Sequence, residues 1–468
     1  MTDYKTPGVY VEESSNLPPS VAQVETAVPA FIGFTEKDEI NKPVRISSMQ
    51  EFQANFGSHY PAEFRVDVEP DNNTKVRSIK GITRSSPDHF YLFYGMRHFF
   101  DNGGGDCYVV SLGAFSEKEG KTKTVFTDAL ELIKKIDEVT LLIFPDALFL
   151  SDANYYAVAD AALKQSADLG DRFTIIDIHP GANGAAELKT GNNFRKAKLS
   201  DENLKYGAVY TPYLNTSYSY RYSDSGVTVN NVGVNAESSA SHESTETLKD
   251  ASLNSIKKND PDLYDQIKAK LKRETVTLPP SAAIAGVYAR VDRERGVWKA
   301  PANVSLAAVI GPTVNISNKE QEPLNLDPTY GKSINCVRDF PGKGTLVWGA
   351  RTLAGNDNEW RYISVRRLFN TIEESVKKGT DFAVFEPNES GTWLKIKAMI
   401  EIYLHGLWQQ GAFAGPTPES AYFVNIGLGK SMTNQDILKG RMIVEIGVAP
   451  VRPAEFIIFR FSHKMQGA

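Results

Sequence analysis

Cysteine is nearly missing from this chain: 468 residues hold only Cys107 and Cys336. Each lies in an apolar context (Cys-Tyr-Val-Val and Ile-Asn-Cys-Val), where a thiol packs as a small hydrophobe. A disulfide framework is therefore excluded as the source of stability, and two buried thiols are expected. The seven histidines are dispersed, and no His/Cys cluster has metal-ligand spacing. No run of about 18 apolar residues occurs, and the first residues carry no apolar signal stretch. The expectation is a soluble protein made in a cytosol, without direct membrane insertion. Excess basic charge is also missing: 52 Lys+Arg face 57 Asp+Glu, a formal net charge of -5. Phosphate neutralisation needs a basic face, so nucleic-acid binders drop out. The acidic excess sits in the first 180 residues and the rest is slightly basic, which leaves different regions free to face different partners.

Nucleotide and catalytic motifs are incomplete. Gly429-Lys-Ser431 and Gly331-Lys-Ser333 resemble the end of a phosphate loop, but that loop needs a glycine five residues earlier, where Val424 and Leu326 stand. Asn102-Gly-Gly-Gly-Asp106 follows a helix and precedes a strand, the wrong order for a helix N-terminus behind a phosphate. Asp146 and Asp177 fall at or just past strand ends, where open α/β folds place ligands. They form the best enzymatic lead, with His179 nearby in Asp-Ile-His-Pro. No Gly-x-Ser-x-Gly elbow accompanies them, and capping of nearby backbone is the simpler use of both carboxylates. No catalytic, cofactor-binding or metal residue is assigned.

What is present is a pair of strand-like ends. Residues 1–25 read as an arm: Gly8, Val9, Tyr10, Val11 and Glu12 favour a strand without a local hairpin partner, and Pro18-Pro19 stiffen the link behind it. At the other end Pro450 and Pro453 precede Glu455, Phe456, Ile457, Ile458 and Phe459 in a strand running to Phe461. Strands on tethers pair with something outside themselves.

Between the ends, Ala27–Phe34 reads as a buried strand and 57–88 as a long polar surface loop. Ser85 or Ser86 caps a helix ending at Gly103. Apolar strands at Cys107–Leu112, Thr140–Pro145, Arg172–Ile178 and Tyr206–Tyr213 alternate with helices at 127–136 and from Asp152 to about Leu169. That pattern implies a parallel sheet covered on both faces. Residues 215–256 are rich in Ser, Asn and Thr and read as a flexible surface insertion; a charged helix follows at 261–272. Further on, Ser364 caps a helix ended by Gly379, Asp381–Glu386 is a strand, and Thr392 caps a helix to Gly411 bearing Tyr403 and Trp408. Tyr422–Ile426 is a strand, Thr433 caps a short helix, and Arg441–Ala449 is another strand. The fold class is α/β and α+β: an α/β region over 26–350 with a polar insertion at 215–256, an α+β domain over 351–449, and a linker with a terminal strand over 450–468.

Three stretches then stop looking generic. They are Thr6-Pro-Gly-Val-Tyr-Val-Glu-Glu13; Pro279–Asn303, which includes Trp298; and Trp348-Gly-Ala-Arg-Thr-Leu353 through Trp360, Arg366, Arg367, Glu373 and Glu374 to Gly447–Phe456. Together they resemble the tail sheath proteins of contractile phages, R-type bacteriocins and extracellular contractile injection systems. The resemblance implies a structural, non-enzymatic subunit that stacks as hexameric rings around an inner tube. Such subunits exchange their terminal strands with neighbouring copies and contract to drive the tube through a target envelope. It implies as partners sheath neighbours, an inner tube protein, baseplate and terminator proteins, sister sheath proteins and an AAA+ ATPase, with no cofactor. It also implies assembly in a bacterial cytoplasm, as part of a phage tail or a released particle. Many relatives carry a Cys-Asp pair where this chain has Asn425-Ile-Gly-Leu-Gly429, so the loop there departs from the pattern. An α/β enzyme built on Asp146 and Asp177, and a non-contractile tube or baseplate component, stand as the alternatives.

Overall fold

The strands Pro29–Thr35, Cys107–Ala114, Leu141–Ile143, Phe173–Asp177 and Gly207–Thr211 are buried along nearly their whole length. A strand without a polar face needs cover on both sides, which a parallel sheet under helices supplies. The computed structural model, which describes residues 21–37, 42–70, 77–85, 90–115, 122–231 and 250–459, places these five side by side and parallel. They form the middle of a nine-stranded sheet. Asn335–Phe340 joins parallel to Gly207–Thr211, and Gly344–Trp348 and Val304–Ser305 then continue antiparallel. Val44–Ile46 closes the other edge, antiparallel to Cys107–Ala114.

Alternation along each strand divides the core in two. Ile32, Val110, Leu142, Ile176 and Val209 enter one apolar layer, with helices Lys123–Ile133 and Asp152–Leu169. Phe31, Val109, Leu141, Ile175 and Tyr210 enter the other, with helices Leu92–Asp101 and Ser281–Arg295. Each fully buried side chain of this size contributes about 1.5–3 kcal/mol. The second pair of helices approaches closely because Gly286 has no side chain: a Cβ there would stand 2.4 Å from the Phe99 carbonyl oxygen.

Residues 57–88 are not a polar loop. They carry the strands Phe64–Pro70 and Arg77–Arg84, paired antiparallel. Phe64, Val66 and Val68 point into a separate small core and the residues between them point out, so alternation masked the strand as polar sequence. The expected insertion at 215–256 is likewise structured at both ends. Leu214–Ser219 sits between Thr275–Leu278 and Val309–Pro312, and Val227–Asn231 pairs parallel with Phe64–Pro70. Ala251–Ser252 and the helices Leu253–Asn259 and Pro261–Leu271 complete that lobe, whereas 232–249 fall outside the described residues.

The described residues of Glu25–Asn370 and Arg452–Ala468 make one compact unit, and those of Met1–Val24 and Thr371–Val451 another. In the second, helix Ser390–Gln409 buries Ile396, Met399, Ile400, Tyr403, Leu404 and Leu407, and packs against the hairpin strand Tyr422–Ile426. That strand pairs only with Val444–Val448 among the described residues. The short helix Asn434–Leu438 starts with a capping box from Thr433.

Three expected features are corrected. Asp381–Glu386 is a 3₁₀ turn at Asp381–Ala383, not a strand: the amides of Ala383, Val384 and Glu386 are taken by carbonyls three residues earlier. The helices assigned to Ser364 and Thr392 begin before those residues, at Ile363 and Ser390. The helix assigned to Ser85 or Ser86 begins at Leu92, and Ser86 lies outside the described residues.

Candidate functional site

The aspartates of the enzymatic lead serve as caps reaching across the fold. Asp146 Oδ1 accepts the amides of Tyr91 and Leu92 at 2.7 and 2.9 Å, and Oδ2 accepts Phe34 N–H at 2.7 Å. The start of helix Leu92–Asp101, which has no capping side chain of its own at Tyr91, is thereby satisfied from 54 residues away. Asp177 does the same for helix Ser281–Arg295, accepting Ser281 N–H at 2.9 Å and its hydroxyl at 2.6 Å. Burial pushes the Asp177 carboxyl up to about 7, against the downward pull of the two Ser281 donors. His179 Nε2 meets the Leu150 carbonyl at 2.9 Å, and its Nδ1 faces Asp152 at 2.8 Å and Gly181 N–H at 3.0 Å.

The remaining chemical leads are spent on structure in the same way. Lys332 of the Gly-Lys-Ser run donates to the carbonyls of Arg195 and Ala197, and Ser333 to that of Asn325. Ser431 of the second run donates to the Ile443 carbonyl at 2.6 Å. Gly103, at φ 101°, makes the turn between helix and strand, where Gly104 N–H closes on the Phe99 carbonyl. Cys107 and Cys336 are buried free thiols, and burial pushes Cys336 up to about 12. Among the described residues no group of three or more His, Cys, Asp or Glu could hold a metal ion, and no helix is long and apolar enough to cross a membrane.

The motif residues fall into separate constellations. Trp298 lies against Gly296 at the end of helix Ser281–Arg295. Arg366 is buried over the Trp360 ring at 4.3 Å and the Tyr206 ring at 5.0 Å, and its Nε donates to Asn370 at 2.7 Å. Arg367, its neighbour, turns elsewhere: it pairs with Asp292 at 2.5 and 3.0 Å, donates to the Thr26 carbonyl and covers the Tyr288 ring. Glu373 is exposed, while Glu374 is buried and bridged by Lys377 and Lys378. Trp408 is half-buried and donates to the Gly415 carbonyl at 3.2 Å. Each of these contacts ties the motif residue to another part of the described chain.

Among the described residues, the open surfaces include strand edges and the C-terminal segment. The hairpin Tyr422–Ile426 with Val444–Val448 stands as a two-stranded sheet, with Phe423 exposed on it. Beyond Pro450 and Pro453, Glu455 pairs with Arg351, and Phe456, Ile457, Ile458 and Phe459 are 67–77% exposed. The backbone of Arg452–Ile458 forms no strand pairing among the described residues. Gly8–Glu12 and Pro18-Pro19 lie outside the described residues. Sequence reasoning missed Arg351 as a partner of Glu455. Both lie in motif stretches, but 104 positions apart, and nothing local joins them.

Residues 200–353 match the phage tail sheath central domain, and residues 355–464 match the phage tail sheath C-terminal domain. The chain is 30% identical to a solved sheath of an extracellular contractile injection system, the PVC sheath complex in its contracted state, over 99% of both chains at a TM-score of 0.63. The chain belongs to the tail sheath protein family. This sheath protein is also 31% identical to the helical sheath of the anti-feeding prophage in its contracted state, over 98% of this chain and 100% of that one, at a TM-score of 0.64. Among curated relatives it is 24% identical to the tail sheath protein of Vibrio phage KVP40 over 185 residues, 39% of this chain and 26% of that protein. It is 25% identical to a putative prophage major tail sheath protein of Pseudomonas aeruginosa over 193 residues, 39% of this chain and 45% of that protein. The matched stretches span less than half the length of these curated relatives. The relatives are structural sheath proteins, in keeping with caps and ion pairs where a catalytic centre was considered.

Proposed function

We propose that this chain is the repeating subunit of a contractile sheath. In that reading it polymerises as stacked hexameric rings around an inner tube and shortens to drive the tube through a target envelope. The observation that carries this reading is a two-stranded hairpin without a third strand among the described residues, together with an exposed apolar C-terminal segment. A two-stranded sheet is marginal alone and gains from further strands. The hairpin at Tyr422–Ile426 and Val444–Val448 is such a sheet, and the exposed apolar segment Phe456–Phe459 is suited to be lent. The arm Gly8–Glu12 is assigned the same role. Strand addition between copies supplies main-chain hydrogen bonds worth roughly 0.5–1.5 kcal/mol each, strong in sum yet tolerant of rotation. The linkers at Pro18-Pro19 and Pro450–Pro453 absorb that rotation.

Contraction then draws on free energy stored in a metastable extended assembly. An extra 300 Å² or so of apolar surface buried per subunit would release on the order of 7 kcal/mol at about 25 cal/mol per Å². Partners on this reading are other copies of the chain, a tube protein, baseplate and terminator proteins, sister sheath proteins and an AAA+ ATPase. Assembly takes place in a bacterial cytoplasm before the particle is released.

Deleting residues 1–15 is expected to leave a folded subunit that cannot build long sheaths in negative-stain micrographs. Sheaths of normal length would remove the role given to the arm. Monomers persisting with and without tube protein would overturn the sheath reading as a whole.

A further inference from the structure

We infer that the Arg351–Glu455 pair is a clasp fixing where the C-terminal segment leaves its own subunit, which makes both residues positioning residues for the lent strand. The consequence for assembly rests on the strand-lending reading above, whereas the clasp is a property of the single chain.

Arg351 is an unusual residue to bury. Its side chain is 2% exposed, and Glu455 is the only carboxylate paired with it among the described residues. Nε donates to both carboxylate oxygens of Glu455 at 2.9 and 3.2 Å, and a second nitrogen donates to Oε2 at 2.5 Å. The third nitrogen donates to the Gly355 carbonyl at 3.0 Å. The Arg351 backbone is held as firmly. Asn335, in the central sheet, accepts from Arg351 N–H and donates to Arg351 O, both at 2.8 Å. One end of the clasp is thus rooted in the central sheet, and the other is a terminal segment without strand pairing among the described residues.

A guanidinium out of water needs its counter-charge. Withdrawing Glu455 would leave a buried positive charge uncompensated, so the segment stays attached at this point whatever happens on either side of it. Apolar packing is not what holds it. Phe456 and Ile457 flank an open cleft of about 680 Å³ whose other wall includes Ala300, Ala302 and Trp348, and both remain largely exposed. Upstream, Pro450 and Val451 are tied to Phe413 and Ala412, so freedom is left to the short stretch Arg452–Pro453 and to the exposed segment downstream, with a fixed pivot between them. The clasp also gives a physical role to the motif stretch Trp348–Leu353, which had none in the sequence, and joins it to Glu455 of the terminal stretch.

Both native thiols are buried, so Ile458→Cys takes a nitroxide label selectively, and the label's motion can be read in the free subunit and in Glu455→Gln. Loss of the charge pair is expected to speed the label several-fold, with Glu455→Asp intermediate. The protein concentration needed for sheath growth should rise on the order of tenfold, the cost of ordering about one more backbone residue at docking. An unchanged label spectrum in Glu455→Gln overturns the clasp, whatever assembly does. A loosened label with an unchanged assembly threshold keeps the clasp and removes the strand-lending reading instead.

Discussion

Two buried titratable residues carry opposite pH dependences. Burial pushes His98 down to about 4, with the Ala307 carbonyl at 3.1 Å as a weaker opposing influence. The unfolded chain takes up that proton near 6.5, so stability is lost as pH falls from 6.5 through 4, by roughly 3 kcal/mol. Asp177 runs the other way. Its folded value near 7 lies above the ordinary 3.8, so its contribution is complete below 3.8 and is lost as pH rises through 7, by roughly 4 kcal/mol. Between pH 4 and 6.5 the two slopes offset each other. Asp177→Asn keeps an acceptor for Ser281 N–H and removes the titration. Urea midpoints of the free subunit should therefore show this variant gaining on the parent from pH 4 to 8. A constant difference across that range would mean that Asp177 does not titrate there.

Among elements, helix starts are the sensitive points. Helices Leu92–Asp101 and Ser281–Arg295 lie on the same face of the central sheet and take their first amide partners from Asp146, in the 3₁₀ turn Pro145–Phe149 just past a strand, and from Asp177, the last residue of another, rather than from the preceding loops. Each such carboxylate binds a helix to the sheet as well as satisfying orphan amides. Asp146→Ala would strand the buried amides of Phe34 and Leu92 and the half-buried amide of Tyr91. The expected loss is about 3 kcal/mol or more in urea denaturation; a loss below about 1 kcal/mol would show that other groups can take over the cap. The same elements mark what sequence could and could not supply. The parallel strands were legible because a continuous apolar run has few alternatives. The starts of these helices were not, because the capping groups lie 54 and 104 positions away. Phe64–Pro70 was hidden for a related reason: half its residues are polar, and one of its partners, Val227–Asn231, is distant in the chain. Asp381–Glu386 failed in the opposite sense, having strand-like residues whose amides close on carbonyls three residues earlier instead of on a strand.

Among the described residues, Asp146, Asp177, Arg351 and Glu455 are used as caps and an ion pair, while the edges of the Tyr422–Ile426 hairpin lack a further strand and Phe456–Ile458 are largely exposed. That is the reverse of an enzyme's usual arrangement, in which perturbed groups converge on a cleft. A sheath subunit needs a rigid body to transmit motion and open edges to join its neighbours. If contraction is driven by stored burial, extended particles depleted of nucleotide and then given mild denaturant should shorten fully. Micrographs would then show two discrete lengths. A requirement for added ATP would contradict a spring assembled in advance.

The sequence by itself determined the parallel α/β core, the strands Tyr422–Ile426 and Val444–Val448 of the α+β region and the family, because each rests on local periodicity or on contiguous motif wording. Only the tertiary structure decided what Asp146, Asp177, Arg351 and Glu455 are for, and that the stretch around 57–88 is a sheet. Those outcomes depend on which distant groups meet once the chain closes. Each doubling of loop length costs only about 0.6 kcal/mol to close, and packing of the core closes these loops in any case, so a carboxylate can cap a helix 104 residues away and no local pattern records the choice.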